Sequence, residues 1–129
     1  MDSIFTKIVK GEIPCYKIAE DDKFLAFLDI NPVQKGHTLV IPKEEIDYLF
    51  DLNDSLLQEM ILFAKEVSIK IKNSIDCKRI GMSVIGFDVP HAHIHLIPIN
   101  NIGDMDFSNA NTEVTSIEFK EVLNTILQS

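Results

Sequence analysis

Four histidines carry the most chemistry in this 129-residue chain, and three of them alternate: His91, His93 and His95, with His37 alone upstream. In a β-strand, residues two apart project from the same face, roughly 6.6–6.8 Å apart along the chain. His91, His93 and His95 would then share one face, and Ala92, Ile94 and Leu96 the other. Same-face imidazoles have three uses. On alternate strand positions they are good Zn²⁺ ligands. One can attack an electrophile while another handles a proton. They can also form a plain polar, solvated strand face. Three in register, in an apolar strand bounded by Pro90 and Pro98, favour the first two uses over the third.

Such a face needs a sheet to carry it and a helix to cover its apolar side. Ile4, Phe5 and Ile8 recur at helical spacing and stop at Gly11. Short apolar runs predict strands over Cys15–Ala19, Phe24–Leu28 and His37–Ile41, with turns at Glu20-Asp21-Asp22 and between Asn31-Pro32 and Lys35-Gly36. Short turns favour antiparallel pairing. The period then changes. Asn53, Asp54 and Ser55 are all plausible N-caps, and Ser55 with Gln58 fits a capping box. Leu57, Met60, Ile61, Ala64, Val67, Ile71 and Ile75 fall on one stripe, predicting a helix of about five or six turns. Strands follow at Arg79–Ile85 and His91–Ile97, joined through Gly86–Pro90. Asn100–Asn111 reads as a polar surface loop. A last helix, capped by Thr115 or Ser116, runs through Leu127 on Ile117, Val122, Ile126 and Leu127. The whole chain, residues 1–129, reads as a single α+β domain.

With 46% hydrophobic and 25% charged residues, the composition is that of a globular protein. A net charge of −8 disfavours a nucleic acid polymer as partner, but a local pocket of imidazoles and backbone N–H groups can still hold one phosphate. Cys15 and Cys77 form no CxxC pair and have no zinc-ligand spacing, which suits two thiols in a reducing compartment. Nothing in the chain reads as a signal peptide or a membrane span, so a cytoplasmic protein without a membrane partner is expected.

His91-Ala92-His93-Ile94-His95-Leu96-Ile97 resembles the signature of the histidine triad (HIT) family, in which histidines alternate with hydrophobic residues. Ile4 through Pro14, Asp21 through Pro32 and Gly36 through Lys43 resemble that family's preceding blocks, so the likeness spans roughly the first hundred residues. It implies an antiparallel β-meander of about five strands with one long central helix, here followed by a C-terminal helix. It implies a homodimer, and no cofactor. The implied activity is hydrolysis or transfer at the α-phosphate of nucleoside monophosphate derivatives: phosphoramidates, acyl adenylates or dinucleoside polyphosphates.

Residue by residue, the resemblance makes His93 the nucleophile of a covalent nucleotidyl-histidine intermediate. The His91 carbonyl would orient its other ring nitrogen. His95 would contact the phosphate and help protonate the leaving group, and His37 is a fourth active-site histidine. Asp29 would hold the ribose hydroxyls. Ile4, Phe5, Ile8, Phe27 and Ile30 would clamp the base. The family usually has Gln and Ser or Thr, both phosphate-binding, where this chain has Phe87 and Asp88. Asp88, counted among the nucleotide-binding positions, has three readings: it receives a cationic leaving group, it joins the histidines around a metal, or it turns outward to solvent or caps the strand connection. Two alternatives remain: a metal-binding protein using the alternating histidines, and a weakly catalytic nucleotide-binding interaction module.

Overall fold

The computed structural model describes all 129 residues. A short helix α1 (Ile4–Val9) precedes strands β1 (Lys17–Glu20), β2 (Phe24–Leu28) and β3 (Thr38–Pro42). The long helix α2 (Asp54–Ser74) leads to β4 (Arg79–Ser83) and β5 (Ile94–Ile99), and α3 (Ser116–Leu127) closes the chain. All pairings are antiparallel, in the order β1-β2-β3-β5-β4. β1 to β3 form the expected meander. α2 then carries the chain past the sheet to its far edge, so β5 returns between β4 and β3.

The central strands are buried on both faces. Every residue of β2 and β3 is buried. Phe24, Ala26, Leu28, Val40, Ile94 and Leu96 join Met60, Phe63, Ala64, Val67 and Ile71 of α2 in the main core, together with Phe119 and Ile126 of α3. On the opposite face Leu25, Phe27, Leu39 and Ile41 pack with Phe5 of α1. A side chain of this size contributes about 1.5–3 kcal/mol when fully buried. Phe5 of this second, smaller core also meets His91 and His93.

The structure moves several expected boundaries. β1 starts at Lys17 rather than Cys15. Asn53 caps α2, accepting the Leu56 N–H at 2.8 Å, so Ser55 lies inside the helix and forms no capping box with Gln58. Ile61, expected on the buried stripe of α2, is 41% exposed, and Phe63, on the opposite flank of that stripe, is buried. The stretch after β5 is not plain loop but holds two 3₁₀ turns, Ile102–Met105 and Phe107–Asn109. Thr115 caps α3 in a box with Glu118. Ile117, expected on its apolar side, is exposed, and Phe119 is buried instead, stacked on Tyr16 at 4.8 Å.

Candidate active site

The histidine segment enters the sheet late. β5 begins at Ile94, so His91 and His93 lie just before the ladder and only His95 is in it, opposite Leu39 on one side and Ser83 on the other. The backbone ahead is held by other partners: His91 N–H donates to Val89 O at 2.8 Å and Ala92 N–H to Ile46 O at 2.6 Å. The alternation survives the shorter strand. Ala92, Ile94 and Leu96 enter the core under α2, and the three imidazoles face the Phe5 side. They are not solvated: His37, His91, His93 and His95 are all buried. Buried imidazoles need hydrogen-bond partners, and those partners fix their protons.

His91 uses both ring nitrogens. Its Nε2–H donates to Pro42 O at 2.8 Å, so its Nδ1 accepts the Ser3 hydroxyl, also at 2.8 Å. Ser3 is the N-cap of α1 and accepts the Thr6 N–H at 3.0 Å. The Ser3 N–H and the Thr6 hydroxyl both donate to Glu45 Oε1, and these bonds, the Ser3 N–H foremost, hold that carboxyl down to about 2. With ring and backbone fixed, the His91 carbonyl accepts His93 Nδ1–H at 2.7 Å. In a neutral His93 the lone pair is then on Nε2, which is buried and without a hydrogen-bond partner. A desolvated imidazole nitrogen of fixed tautomer is a ready nucleophile.

The other two histidines form a second chain. The Val33 N–H donates to His37 Nδ1 at 3.0 Å, which puts the His37 proton on Nε2. That proton is donated to His95 Nδ1 at 2.9 Å, so a neutral His95 carries its own proton on Nε2. Burial pushes both groups down to about 4, so both are neutral near pH 7. Phe107, from the second 3₁₀ turn, lies edge-on to His95 at 4.8 Å and to His37 at 6.0 Å. The site thus sets an acceptor at His93 beside a donor at His95, with ring centroids 4.9 Å apart.

Asp29 reaches the same place from the end of β2. Its N–H donates to His37 O at 2.9 Å, closing the β2–β3 loop, and Oδ1 accepts the Asn31 N–H at 2.8 Å. Oδ2 lies 3.5 Å from His37 Nε2, and burial raises the carboxyl above its ordinary range. Phe5 and Phe27 meet edge-on at 5.6 Å in the smaller core, and Phe5 also meets His93 at 5.1 Å. Ile8 is half-buried, while Ile4 and Ile30 are 48% and 62% exposed. The five residues read as a base clamp therefore divide into an aromatic floor and open aliphatic sides. Asp88 lies in the β4–β5 connection with Oδ1 3.4 Å from His93 Nε2.

The hydrogen bonds weigh against the metal-binding alternative. His91 has no free nitrogen to offer, so the three alternating histidines do not converge on an ion. Asp29, His37 and His95 do bring ligand atoms within 4.8 Å of one another. Ligation through His37 Nε2, however, would need Nδ1 protonated, directly against the Val33 N–H.

Sequence reasoning missed Ser3, Thr6, Glu45, Val33 and Phe107. Ser3 carried a readable signal, a serine just ahead of a helical run. The Val33 role is a backbone one, and Glu45 and Phe107 have no motif.

The HIT domain family matches residues 10–102. An uncharacterized HIT-like protein of Borreliella burgdorferi is 37% identical over 94% of this chain and 93% of its own length. The adenosine 5'-monophosphoramidase hnt1 of Schizosaccharomyces pombe is 44% identical over 103 residues, covering 78% of this chain and 77% of the relative. Among solved structures, a Hit-like protein from Bartonella henselae superposes with a TM-score of 0.85 at 27% identity, covering 98% of this chain and 95% of that one. A Zn-bound histidine triad protein from Mycobacterium smegmatis gives 0.81 at 26% identity, over 99% and 95%. With the alternating histidines and the five-stranded antiparallel sheet, these matches establish that the chain belongs to the histidine triad family.

Proposed function

We propose that this protein is a nucleotidyl hydrolase or transferase that cleaves nucleoside monophosphate derivatives at the α-phosphate through a nucleotidyl group carried on His93. The observation that carries this reading is the unpartnered, buried Nε2 of His93, with its Nδ1–H locked on the His91 carbonyl. The likeness to adenosine 5'-monophosphoramidases of Schizosaccharomyces pombe and Saccharomyces cerevisiae supports phosphoramidates as substrates.

His93 Nε2 attacks the phosphorus with its lone pair. For a phosphoramidate whose bridging nitrogen is protonated, the P–N bond breaks, its electron pair goes to that nitrogen, and a neutral amine departs. His95 Nε2–H donates a hydrogen bond to a phosphate oxygen, where charge builds in the transition state. Water then attacks the nucleotidyl-imidazole. The P–N bond to His93 breaks, the pair returns to Nε2, and the water proton passes to a phosphate oxygen and on to solvent. Asp29 holds the ribose hydroxyls, and the base lies over Phe5 and Phe27 between Ile4, Ile8 and Ile30.

A homodimer is part of the proposal. β4 is an edge strand with an unpaired side, and Met82, Val84 and Ile85 on and just after it are exposed. Two free thiols, Cys15 and Cys77, support a reducing cytoplasmic location. No helix is long and apolar enough to cross a membrane.

The test is a substrate panel of adenosine phosphoramidate, an acyl adenylate and a diadenosine polyphosphate, run with wild type and His93→Ala. Turnover of at least one by wild type and of none by the variant is expected. Tight binding with no turnover across the panel would instead make the protein a nucleotide-binding module.

A further inference from the structure

The connection Gly86–Pro90 offers no side-chain donor to a phosphate. Phe87 is 95% exposed and has no polar atom, and Asp88 is an acceptor. The Asp88 carboxylate is also held in place, because the Val89 N–H donates to its Oδ1 at 3.0 Å. The same oxygen lies 3.4 Å from His93 Nε2. Two electron-rich atoms thus lie side by side where a phosphorus must approach His93. The side chain of Asp88 is 70% exposed, so it faces what approaches from solvent. The net charge of −8 adds a field of the same sign.

A fixed negative charge beside an attacking nitrogen repels a substrate that brings a second anion and attracts one that brings a cation. We propose that Asp88 selects the leaving group by charge, and that the substrates are nucleoside phosphoramidates whose departing amine carries an ammonium group close to the phosphorus. The proposal rests on the reading of His93 as nucleophile and adds the class of leaving group. At about 6 Å and an effective dielectric of about 40, one unit of charge is worth roughly tenfold. Dinucleoside polyphosphates, with their anionic leaving groups, are disfavoured on the same ground.

Three adenosine phosphoramidates of matched length test this, the leaving amine ending in an ammonium, a hydroxyl or a carboxylate. Asp88→Asn is the informative variant: it removes the charge and keeps an oxygen for the Val89 N–H. Wild-type kcat/KM should fall in the order ammonium, hydroxyl, carboxylate, by roughly tenfold at each step. Asp88→Asn should compress that spread to about threefold or less, and salt near 1 M should compress it in wild type. A flat wild-type series, or a spread that persists in Asp88→Asn, overturns the proposal. Equilibrium binding of the same compounds to His93→Ala and to His93→Ala/Asp88→Asn reads the charge order without turnover. The charge order in binding, lost with Asp88→Asn, supports the role of Asp88 even if the catalytic reading fails; its absence there counts against Asp88.

Discussion

Each of the four histidines is left with one task once its proton is located. His91 spends both nitrogens on holding itself still and gives its carbonyl to His93. Ser3 is therefore a positioning residue that acts through His91. Ser3→Ala removes a helix cap and leaves a buried Nδ1 without a donor, which should cost about 1–3 kcal/mol in urea unfolding. If it acts by positioning, kcat should fall while KM changes little, and Ser3→Thr should restore much of the loss. The His37–His95 pair makes a pH prediction. Both groups have folded values of about 4 against an ordinary 6.5, so between those limits the unfolded chain binds more protons than the folded one. Stability should be full above pH 6.5 and fall as pH drops towards 4. Urea midpoints at pH 7.5 and 5.0 check this, and a His37→Gln/His95→Gln variant should show a weaker dependence.

At the level of elements, the β2–β3 loop decides how the site is built. Gly36 adopts φ +89° directly before His37, and a Cβ there would meet Ile75 and Pro98 at 3.2 Å. Gly36→Ala should cost about 1–3 kcal/mol from backbone strain alone and displace His37 from His95, seen as lower stability together with lost turnover. The same loop marks where the sequence stops being readable. The alternation in the histidine segment correctly placed three imidazoles on one face, because the period of two holds even where the ladder has not begun. It also predicted a strand from His91, but the His91 and Ala92 amides bond to Val89 and Ile46 instead of to a neighbouring strand. The period of α2 located the centre of its buried side but not its edges: Ile61 and Phe63 lie on opposite flanks of the stripe, and the flank that packs on the sheet is that of Phe63, 5.5 Å from Phe24. No local signal announces that Val33 N–H will face His37, that Glu45 will anchor α1, or that Phe107 will return over His95. Those are products of tertiary packing between segments far apart in sequence.

At the scale of the whole molecule, charge and edge matter most. Exposed apolar side chains on and after β4 sit at the open side of the sheet, the surface on which a second copy would extend it. Met82→Lys adds a charge there, away from the histidines. Sedimentation analysis should find wild type dimeric and Met82→Lys shifted to monomer at the same concentration; a monomeric wild type would contradict the dimer. The C-terminal segment adds to the fold beyond the family match. α3 packs on α2 and β1, and the turn before it brings Phe107 to the site. Phe107→Ala should leave the fold in place and expose the His37–His95 pair to water. Histidine titration followed by NMR should then show both values moving up from about 4 towards 6.5.

The central claim is that His93 Nε2 becomes bonded to phosphorus. The most direct measurement is rapid acid-free quenching of wild-type protein during turnover of adenosine phosphoramidate, followed by mass analysis of the peptide that contains His93. A transient gain of one adenylyl group on that peptide, acid-labile and absent from His93→Ala, is the predicted result. Turnover at an undiminished rate by His93→Ala, or an adenylyl group trapped on a different residue, would contradict it.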